Sequence, residues 1–352
     1  MNQNADRNAS SPLEAIFAAV KATHNEDSLK DIDIITDRGP LRKLLGFLAP
    51  QYGELNDKAK AAFSIIVERV GSTTFFTRHQ SATRQTRNIK GYRSAFDQHY
   101  LKTSALASKS TSHHRILRYQ FGGLNLLFRS EVDAHLETEV PDEIKDALKT
   151  TDVDSLVNIL RSTALDSPPP PKTTEKTVHA IQGGHILPYS AMVEIVTRNS
   201  KYPFDVSTRL PDLWMSQIKH FLRAHWRPVW KKSLWPPSQT AERMAQFHEF
   251  DLVNVGPLTE QRAEENEEAL KKLVEVCKII VAKVKWMGRP CMASFSGMEG
   301  EPLMLVPIEE GEDYPTPSEE MKALLLDSQT HEETEGEGAG TVDEEAYLAD
   351  RE

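Results

Sequence analysis

Residues 124–133 read LNLLFRSEVD, an apolar run that ends in two carboxylates separated by one residue. Side chains alternate along a β-strand, so Glu131 and Asp133 are expected on the same face of a strand. About sixty residues later, residues 189–198 read YSAMVEIVTR and again place one carboxylate, Glu194, in an apolar run. If the two strands pair, three acidic side chains converge on one edge of a sheet.

Three converging carboxylates repel one another unless a cation lies between them, and hard oxygen ligands suit Mg²⁺ or Mn²⁺. The pattern therefore favours a divalent-metal site of the kind that serves phosphodiester hydrolysis. Alternating surface carboxylates on strands with one exposed face would give the same pattern. The three acids alone leave both interpretations open.

The net charge of −10 over 352 residues is unevenly distributed. Residues 309–352 contain sixteen acidic and two basic residues, so the other 308 residues carry a net charge of +4. An acidic tail thus hides a mildly basic body, which is compatible with an anionic partner. The tail is also poor in aromatic residues, and we predict that it is disordered.

No apolar run approaches the ~20 residues that cross a bilayer, and the first residues lack the parts of a signal peptide. Two cysteines, Cys277 and Cys291, provide neither a disulfide framework nor a paired metal motif. We expect a soluble intracellular protein, in the nucleus or the cytoplasm, with no membrane partner.

The pattern of strands and helices predicts an α+β fold, a mixed sheet flanked by helices in a single domain. We expect an N-terminal helix and linker over 1–29, the domain over 30–308 with a proline-rich insertion at 137–176, and the tail over 309–352. Strands are predicted near 31–36, 63–70, 73–77, 114–129, 191–197, 292–295 and 303–307. Helices are predicted at 11–24, 40–48, 91–107, 211–224 and 264–286.

Two segments combine basic and aromatic residues, as nucleic-acid-binding surfaces do. Residues 78–118 contain nine lysines and arginines, Arg93 and Arg118 among them, against the single acid Asp97. Residues 219–232 are also basic, lie near several tryptophans, and contain prolines that predict a loop or lid over the site. A solvated basic face and tryptophans packed in the core are the alternatives.

Five short pieces follow one another in a set order, at residues 36–41 (TDRGPL), 90–97 (KGYRSAFD), 131–133 (EVD), 194–197 (EIVT) and 216–217 (SQ). In this order they resemble the decapping exoribonuclease family of the PD-(D/E)xK nuclease superfamily, in its divergent fungal branch. The resemblance covers about residues 30 to 308. Members of this branch are often labelled geranylgeranyl pyrophosphate synthetase, but such enzymes need Asp-Asp motifs, and this chain has no Asp-Asp dipeptide.

The resemblance implies the following site. Its catalytic residues are Glu131, Asp133, Glu194 and Gln217. Its Mg²⁺ or Mn²⁺ ligands are Asp97, Glu131, Asp133 and Glu194. To substrate binding we assign Arg38, which the resemblance implies, together with Arg93, Arg118 and Arg198.

The chain departs from the family at Val196, where the resemblance implies a lysine that positions the nucleophile and neutralises charge on the phosphate. Loss of such a contact typically costs on the order of 10²–10³ in rate. Arg198 follows on the same face of the strand and is a conceivable replacement.

We therefore predict a metal-dependent, decapping-type nuclease acting on RNA 5′ ends, impaired by Val196. The alternative is a catalytically inactive nuclease fold that binds RNA or a protein, and a third possibility is a regulator that binds only protein. The expected partner is single-stranded RNA or its 5′ end. Since some family members assist a 5′–3′ exoribonuclease, such an enzyme is a further implied partner.

Overall fold

The computed structural model describes residues 10–23, 26–50, 62–79, 91–103, 110, 112–146, 186–231 and 242–335. Most of the proline-rich insertion, from residue 147 to residue 185, lies outside these ranges, as do residues 80–90 of the first basic segment. No helix in the described ranges is both long enough and apolar enough to span a bilayer.

The described residues form eleven strands in two sheets. The strands are β1 (Ile34–Asp37), β2 (Phe63–Val70), β3 (Thr73–His79), β4 (His113–Phe121), β5 (Leu124–Val132), β6 (Ala134–His135), β7 (Met192–Asn199), β8 (His220–Lys231), β9 (Glu242–Asn254), β10 (Cys291–Phe295) and β11 (Met304–Pro307). The large sheet has the order β11-β10-β2-β3-β1-β5-β4, and the small sheet has the order β6-β7-β8-β9.

Helices cover both sheets. They are α1 (Glu14–Ala22), α2 (Arg38–Leu48), α3 (Arg93–Tyr100), α4 (Leu210–Met215), α5 (Gly256–Glu265), α6 (Glu267–Met287) and α7 (Glu319–Glu335). Helices α2 and α6 pack on one face of the large sheet, and α1 and α7 pack on the other. Helices α4 and α3 cover opposite faces of the small sheet. The predicted α+β fold with a mixed sheet between helices is confirmed.

The strand pairing is mixed in both sheets. In the large sheet, β1 runs parallel to β3 and to β5, whereas the other neighbours are antiparallel. In the small sheet, β7 runs parallel to β8 and antiparallel to β6. The chain passes from one sheet to the other at Asp133, which lies between the last residue of β5 and the first residue of β6.

Residues 124–133 and 189–198, whose direct pairing would have placed the three acids on one sheet edge, do not pair as two long strands. Strand β5 pairs with β1 and β4, and only the two residues of β6 pair with β7. Glu131 and Glu194 therefore belong to different sheets, because the chain leaves the large sheet immediately after Val132. The acids meet at the junction of two sheets and not along one edge.

The start of one helix and the end of another also differ from the prediction. The helix predicted over 40–48 begins two residues earlier, at Arg38 directly after β1, and has Pro40 in its first turn. The predicted helix over 211–224 ends at Met215, and residues 220–231 form a long strand instead of a lid. A proline has no N–H to donate to a neighbouring strand. Pro228 fits this strand because β7 pairs with β8 only as far as Trp226.

The acidic tail begins later than the sequence predicts. Helix α7 lies within the segment predicted to be disordered, and its Met321 and Leu325 are buried in the same cluster as Phe17 of α1. Residues 336–352 lie outside the described ranges.

A candidate carboxylate centre between the two sheets

The predicted acids come together where the two sheets meet. Glu131 is the next-to-last residue of β5, Asp133 lies at the crossing, and Glu194 is the third residue of β7. Asp97 is supplied by α3, which packs on the small sheet through Phe96. Four carboxylates from separate parts of the chain thus surround one junction.

Arg93 connects two of these carboxylates. Its Nε donates to both oxygens of Asp97, at 2.8 and 3.0 Å, and its Nη2 lies 2.9 Å from Oδ1 of Asp133. Its Nη1 donates to the backbone carbonyl of Ile195. The backbone N–H of Ile195 in turn donates to Oδ2 of Asp133 at 2.7 Å.

Arg38 serves the third carboxylate. Its Nη1 lies 3.7 Å from Oε2 of Glu194 and 3.4 Å from Oγ of Ser216. Burial lowers the pKa of Arg38, but the negative charges of Glu194, Asp212 and other acids more than offset this effect and raise it. Arg38 therefore stays charged beside Glu194 in the site.

Glu194 is the most strongly perturbed acid of the centre. Burial, reinforced by the charge of Asp133 and opposed by Arg38, raises the pKa of Glu194 to about 7. Its Oε2 is buried and accepts no hydrogen bond from any described residue. Burial also raises the pKa values of Glu131 and Asp97, each with a contribution from the charge of Asp133.

Two further residues of the centre, Asp212 and His114, were not predicted from the sequence. Asp212 of α4 is buried and lies 3.4 Å from Arg42 and 3.6 Å from Arg209. His114 lies opposite Glu131 in the β4–β5 ladder, and burial together with nearby cationic groups lowers its pKa to about 4. The signal for Asp212 was a lone acid among the apolar residues of a short helix.

The other predicted residues lie around the centre. Gln217 is exposed in the turn after α4 and has a positive φ of 53°, a rare conformation for a residue other than glycine. Arg198 lies over the ring of Phe204, 5.5 Å from its centroid. Arg118 is exposed on β4 opposite Leu127, four residues before Glu131 along β5. Val196 packs against the apolar cluster between the small sheet and α4.

An aromatic and a cationic side chain lie where β7 and β8 begin, and we call this pair the rim of the site. Tyr189 begins the helical turn over residues 189–191 that precedes β7, is 51% exposed, and lies with its ring centroid 5.2 Å from Nζ of Lys219. Lys219 directly precedes β8 and follows Ser216 and Gln217. A base that entered the site from this side would meet an exposed ring beside a positive charge.

A second concave surface lies beside the first turn of α2. It is a cavity of about 360 Å³, within the size range of small-ligand sites. Its walls include the cationic side chains of Lys43 and Arg78, the imidazole of His79, and the rings of Phe63 and Phe295. Two further lining residues, Gly39 and Pro40, directly follow Arg38 along α2.

The predicted ligands do not fit a divalent metal ion as they are arranged. Within the described ranges, no three histidine, cysteine, aspartate or glutamate side chains are close enough together to hold one ion. Two of the predicted ligands are already bonded, since Arg93 binds both carboxylate oxygens of Asp97 and one of Asp133. In this arrangement two of the predicted Mg²⁺ or Mn²⁺ ligands, Asp97 and Asp133, are engaged in ion pairs with Arg93.

A family model described as Domain of unknown function (DUF8563) matches residues 1–304. The chain belongs to this family. The DUF8563 match includes the small sheet, the large sheet as far as the first residue of β11, and the whole carboxylate centre, and it ends before α7. Among curated protein sequences, none matches the chain.

Several solved structures of the yeast protein Rai1 are similar to this DUF8563 chain. S. pombe Rai1 in complex with 3′-FADP is 13% identical with a TM-score of 0.48, over 84% of this chain and 77% of that chain. Scheffersomyces stipitis Rai1 in complex with (3′-NADP)⁺ and calcium ion is 12% identical with a TM-score of 0.49, over 90% and 79%. Candida albicans Rai1 in complex with pU5-Mn²⁺ is 11% identical with a TM-score of 0.45, over 90% and 80%. Similarity at this level transfers no activity, ligand or residue role.

Proposed function

We propose that this protein binds RNA 5′ ends at the junction of its two sheets, as a nuclease-like module that does not hydrolyse them. The observation that carries the proposal is the pairing of Arg38 and Arg93 with three of the four carboxylates of the centre, Glu194, Asp97 and Asp133. Because these arginines offset part of the negative charge, the centre repels an approaching phosphate less than four unpaired acids would. The surrounding rim then determines how tightly the nucleic acid binds.

The rim supplies the two interactions that single-stranded RNA uses. Lys219 and the basic wall of the α2 cavity offer charge for phosphates, and Tyr189 offers a ring for stacking. The basic segment over residues 78–118 adds to this charge, although part of it lies outside the described ranges. The absence of the implied lysine supports binding without turnover, because Val196 packs against apolar neighbours.

Exchange of an exposed tyrosine tests the binding surface. Tyr189→Ala should weaken binding of 5′-labelled single-stranded RNA about five- to thirtyfold, since stacking is worth roughly 1–2 kcal/mol per base. Tyr202→Ala is the matched control, because Tyr202 is 61% exposed but follows β7 at the opposite end of that strand. Filter binding over a salt series measures both variants, and the affinity of the wild type should fall steeply with salt.

Hydrolysis is the second candidate, and one observation favours it. Glu194 has a pKa of about 7, which suits a group that exchanges protons at neutral pH. Incubation of triphosphorylated and capped RNA with Mn²⁺ separates the candidates. Turnover by the wild type that is lost in Glu131→Ala would establish a hydrolase and refute the binding-only proposal. Absence of RNA binding even at low salt would refute both and leave a regulator that binds protein.

A further inference from the structure

All three nitrogen atoms of the Arg93 guanidinium are bound to oxygen atoms of the junction. Two carboxylates and one backbone carbonyl surround it, from Asp97, Asp133 and Ile195. These groups come from α3, from the crossing between the sheets and from β7. Three distant parts of the chain therefore meet around one positive charge.

The oxygen atoms are also fixed in place. Asp133 is held by the backbone N–H of Ile195 at 2.7 Å, so its second oxygen is directed at Arg93. Helix α3 is anchored by Phe96, which is 1% exposed and packs with Ile195, Val193 and Ala224. The arrangement is preformed by packing and does not depend on Arg93 alone.

Two carboxylates and a carbonyl are the hard oxygen donors that divalent cations select. Here the cation is a guanidinium attached to the chain. We propose that Arg93 is a tethered counter-ion, which occupies a cation position formed by Asp97, Asp133 and the Ile195 carbonyl and excludes divalent metal ions from it.

A guanidinium cannot leave this position by losing its proton, because arginine stays charged at any physiological pH. Metal ions must instead displace it against two carboxylate contacts. The inference goes beyond RNA binding, since it concerns metal affinity alone, and RNA binding can fail while the tethered counter-ion remains.

Manganese binding to purified protein tests the proposal, with the signal of free Mn²⁺ read by electron paramagnetic resonance. Arg93→Gln removes the charge and leaves a shorter neutral side chain, so this variant should bind one Mn²⁺ at least about tenfold more tightly than the wild type. The double variant Arg93→Gln with Asp133→Asn should lose this gain. Arg93→Lys keeps a positive charge and should bind Mn²⁺ no more tightly than the wild type.

Arg227→Gln is the matched control, because it removes the same charge from an exposed arginine of β8, whose guanidinium donates to Oε1 of Gln246 on β9. Folded Arg93→Gln protein that binds Mn²⁺ no better than Arg227→Gln would overturn the proposal. Wild-type protein that binds one Mn²⁺ as tightly as Arg93→Gln, with loss in Asp133→Asn, would overturn it as well, whether or not the Arg93 variants fold.

Discussion

Arg129 is a buried arginine that connects three parts of the chain near the carboxylate centre. It is 2% exposed, and its Nε and Nη2 donate to the two oxygens of Asp37 at 2.6 and 2.9 Å. Its Nη2 also donates to the carbonyl of Pro12, just before α1. Asp37 ends β1 directly before Arg38, so this pair helps to fix the start of α2.

Arg129→Met should lower the free energy of unfolding by about 3–5 kcal/mol, because it leaves the carboxylate of Asp37, whose side chain is only 14% exposed, without this partner. Urea denaturation measures the change. Arg227→Met, at an exposed position, should stay within about 0.5 kcal/mol of the wild type. A loss below about 1 kcal/mol in Arg129→Met would contradict the role given to the pair.

Glu194 should make stability depend on pH. Its pKa is about 7 in the folded protein against 4.5 ordinarily, so between these values the folded state binds more protons than the unfolded state. The stability that this group contributes is complete below pH 4.5 and is lost as the pH rises through 7. Relative to Glu194→Gln, the wild type should lose on the order of 1–3 kcal/mol between pH 5 and pH 8. Urea unfolding with equal pH dependence in both proteins would contradict this.

The sequence pattern predicted the acids of the centre but not that Arg38 and Arg93 would form ion pairs with them. The alternation of Glu131 and Asp133 along one strand is a local property, and the structure brings both to the junction. The bonds from Arg93 to Asp133 and to the Ile195 carbonyl join residues 40 and 102 positions apart, which no local pattern encodes.

The turn between β4 and β5 is the element that couples the large sheet to α6. Gly122 has a φ of +57°, and a Cβ atom there would lie 2.5 Å from Cγ2 of Val274. Gly123 has a φ of +84°, but a Cβ atom there would meet no atom within 4 Å. The two glycines therefore share a conformation that other residues rarely adopt and differ in the space around them.

Gly122→Ala should destabilise the protein by about 2–4 kcal/mol, because it adds a clash with α6 to the backbone strain. Gly123→Ala should cost only the strain, about 1–2 kcal/mol. Thermal denaturation of the two variants compares them directly. Equal costs would show that α6 moves aside without penalty.

At the scale of elements, paired strands and the longest helix were predicted well. The hairpin over 63–79 and the apolar stripe of α6 follow from simple periodicity, and both are present. Strand β8 was mistaken for a helix because its first part continues the apolar spacing of α4. The left-handed conformation of Gln217 follows the end of that helix, in a turn where the N–H of Gln217 donates to the carbonyl of Trp214 and the N–H of Ile218 donates to that of Leu213. A glutamine rarely adopts this conformation, so the residue type does not indicate the turn.

Helix α7 shows that the folded molecule extends beyond the predicted domain. Leu325 is fully buried and Met321 is 1% exposed, in the cluster that also holds α1. The backbone N–H of Thr316 donates to the carbonyl of Ser10 at 2.8 Å, and Gln329 donates to Thr73. The acidic composition of residues 309–352 did not indicate these contacts, because only a few apolar residues of α7 make them.

Leu325→Ala should lower the free energy of unfolding by about 2–5 kcal/mol, as expected for a leucine removed from a packed core. Leu326→Ala is the matched control, since this neighbour is 43% exposed and should cost less than about 1 kcal/mol. Denaturation in urea gives both values. Similar costs at the two positions would mean that α7 is not fixed on the core.

The direct passage from β5 in the large sheet to β6 in the small sheet, with only Asp133 between them, constrains how the chain can diverge. Insertion or deletion of a single residue between Glu131 and Ala134 would turn the following side chains to the opposite face. Asp133 would then lose its hydrogen bond from the Ile195 N–H and its ion pair with Arg93, and β6 would pair with β7 out of register. Length changes during evolution should therefore accumulate in the connections between elements, while this short crossing keeps its number of residues.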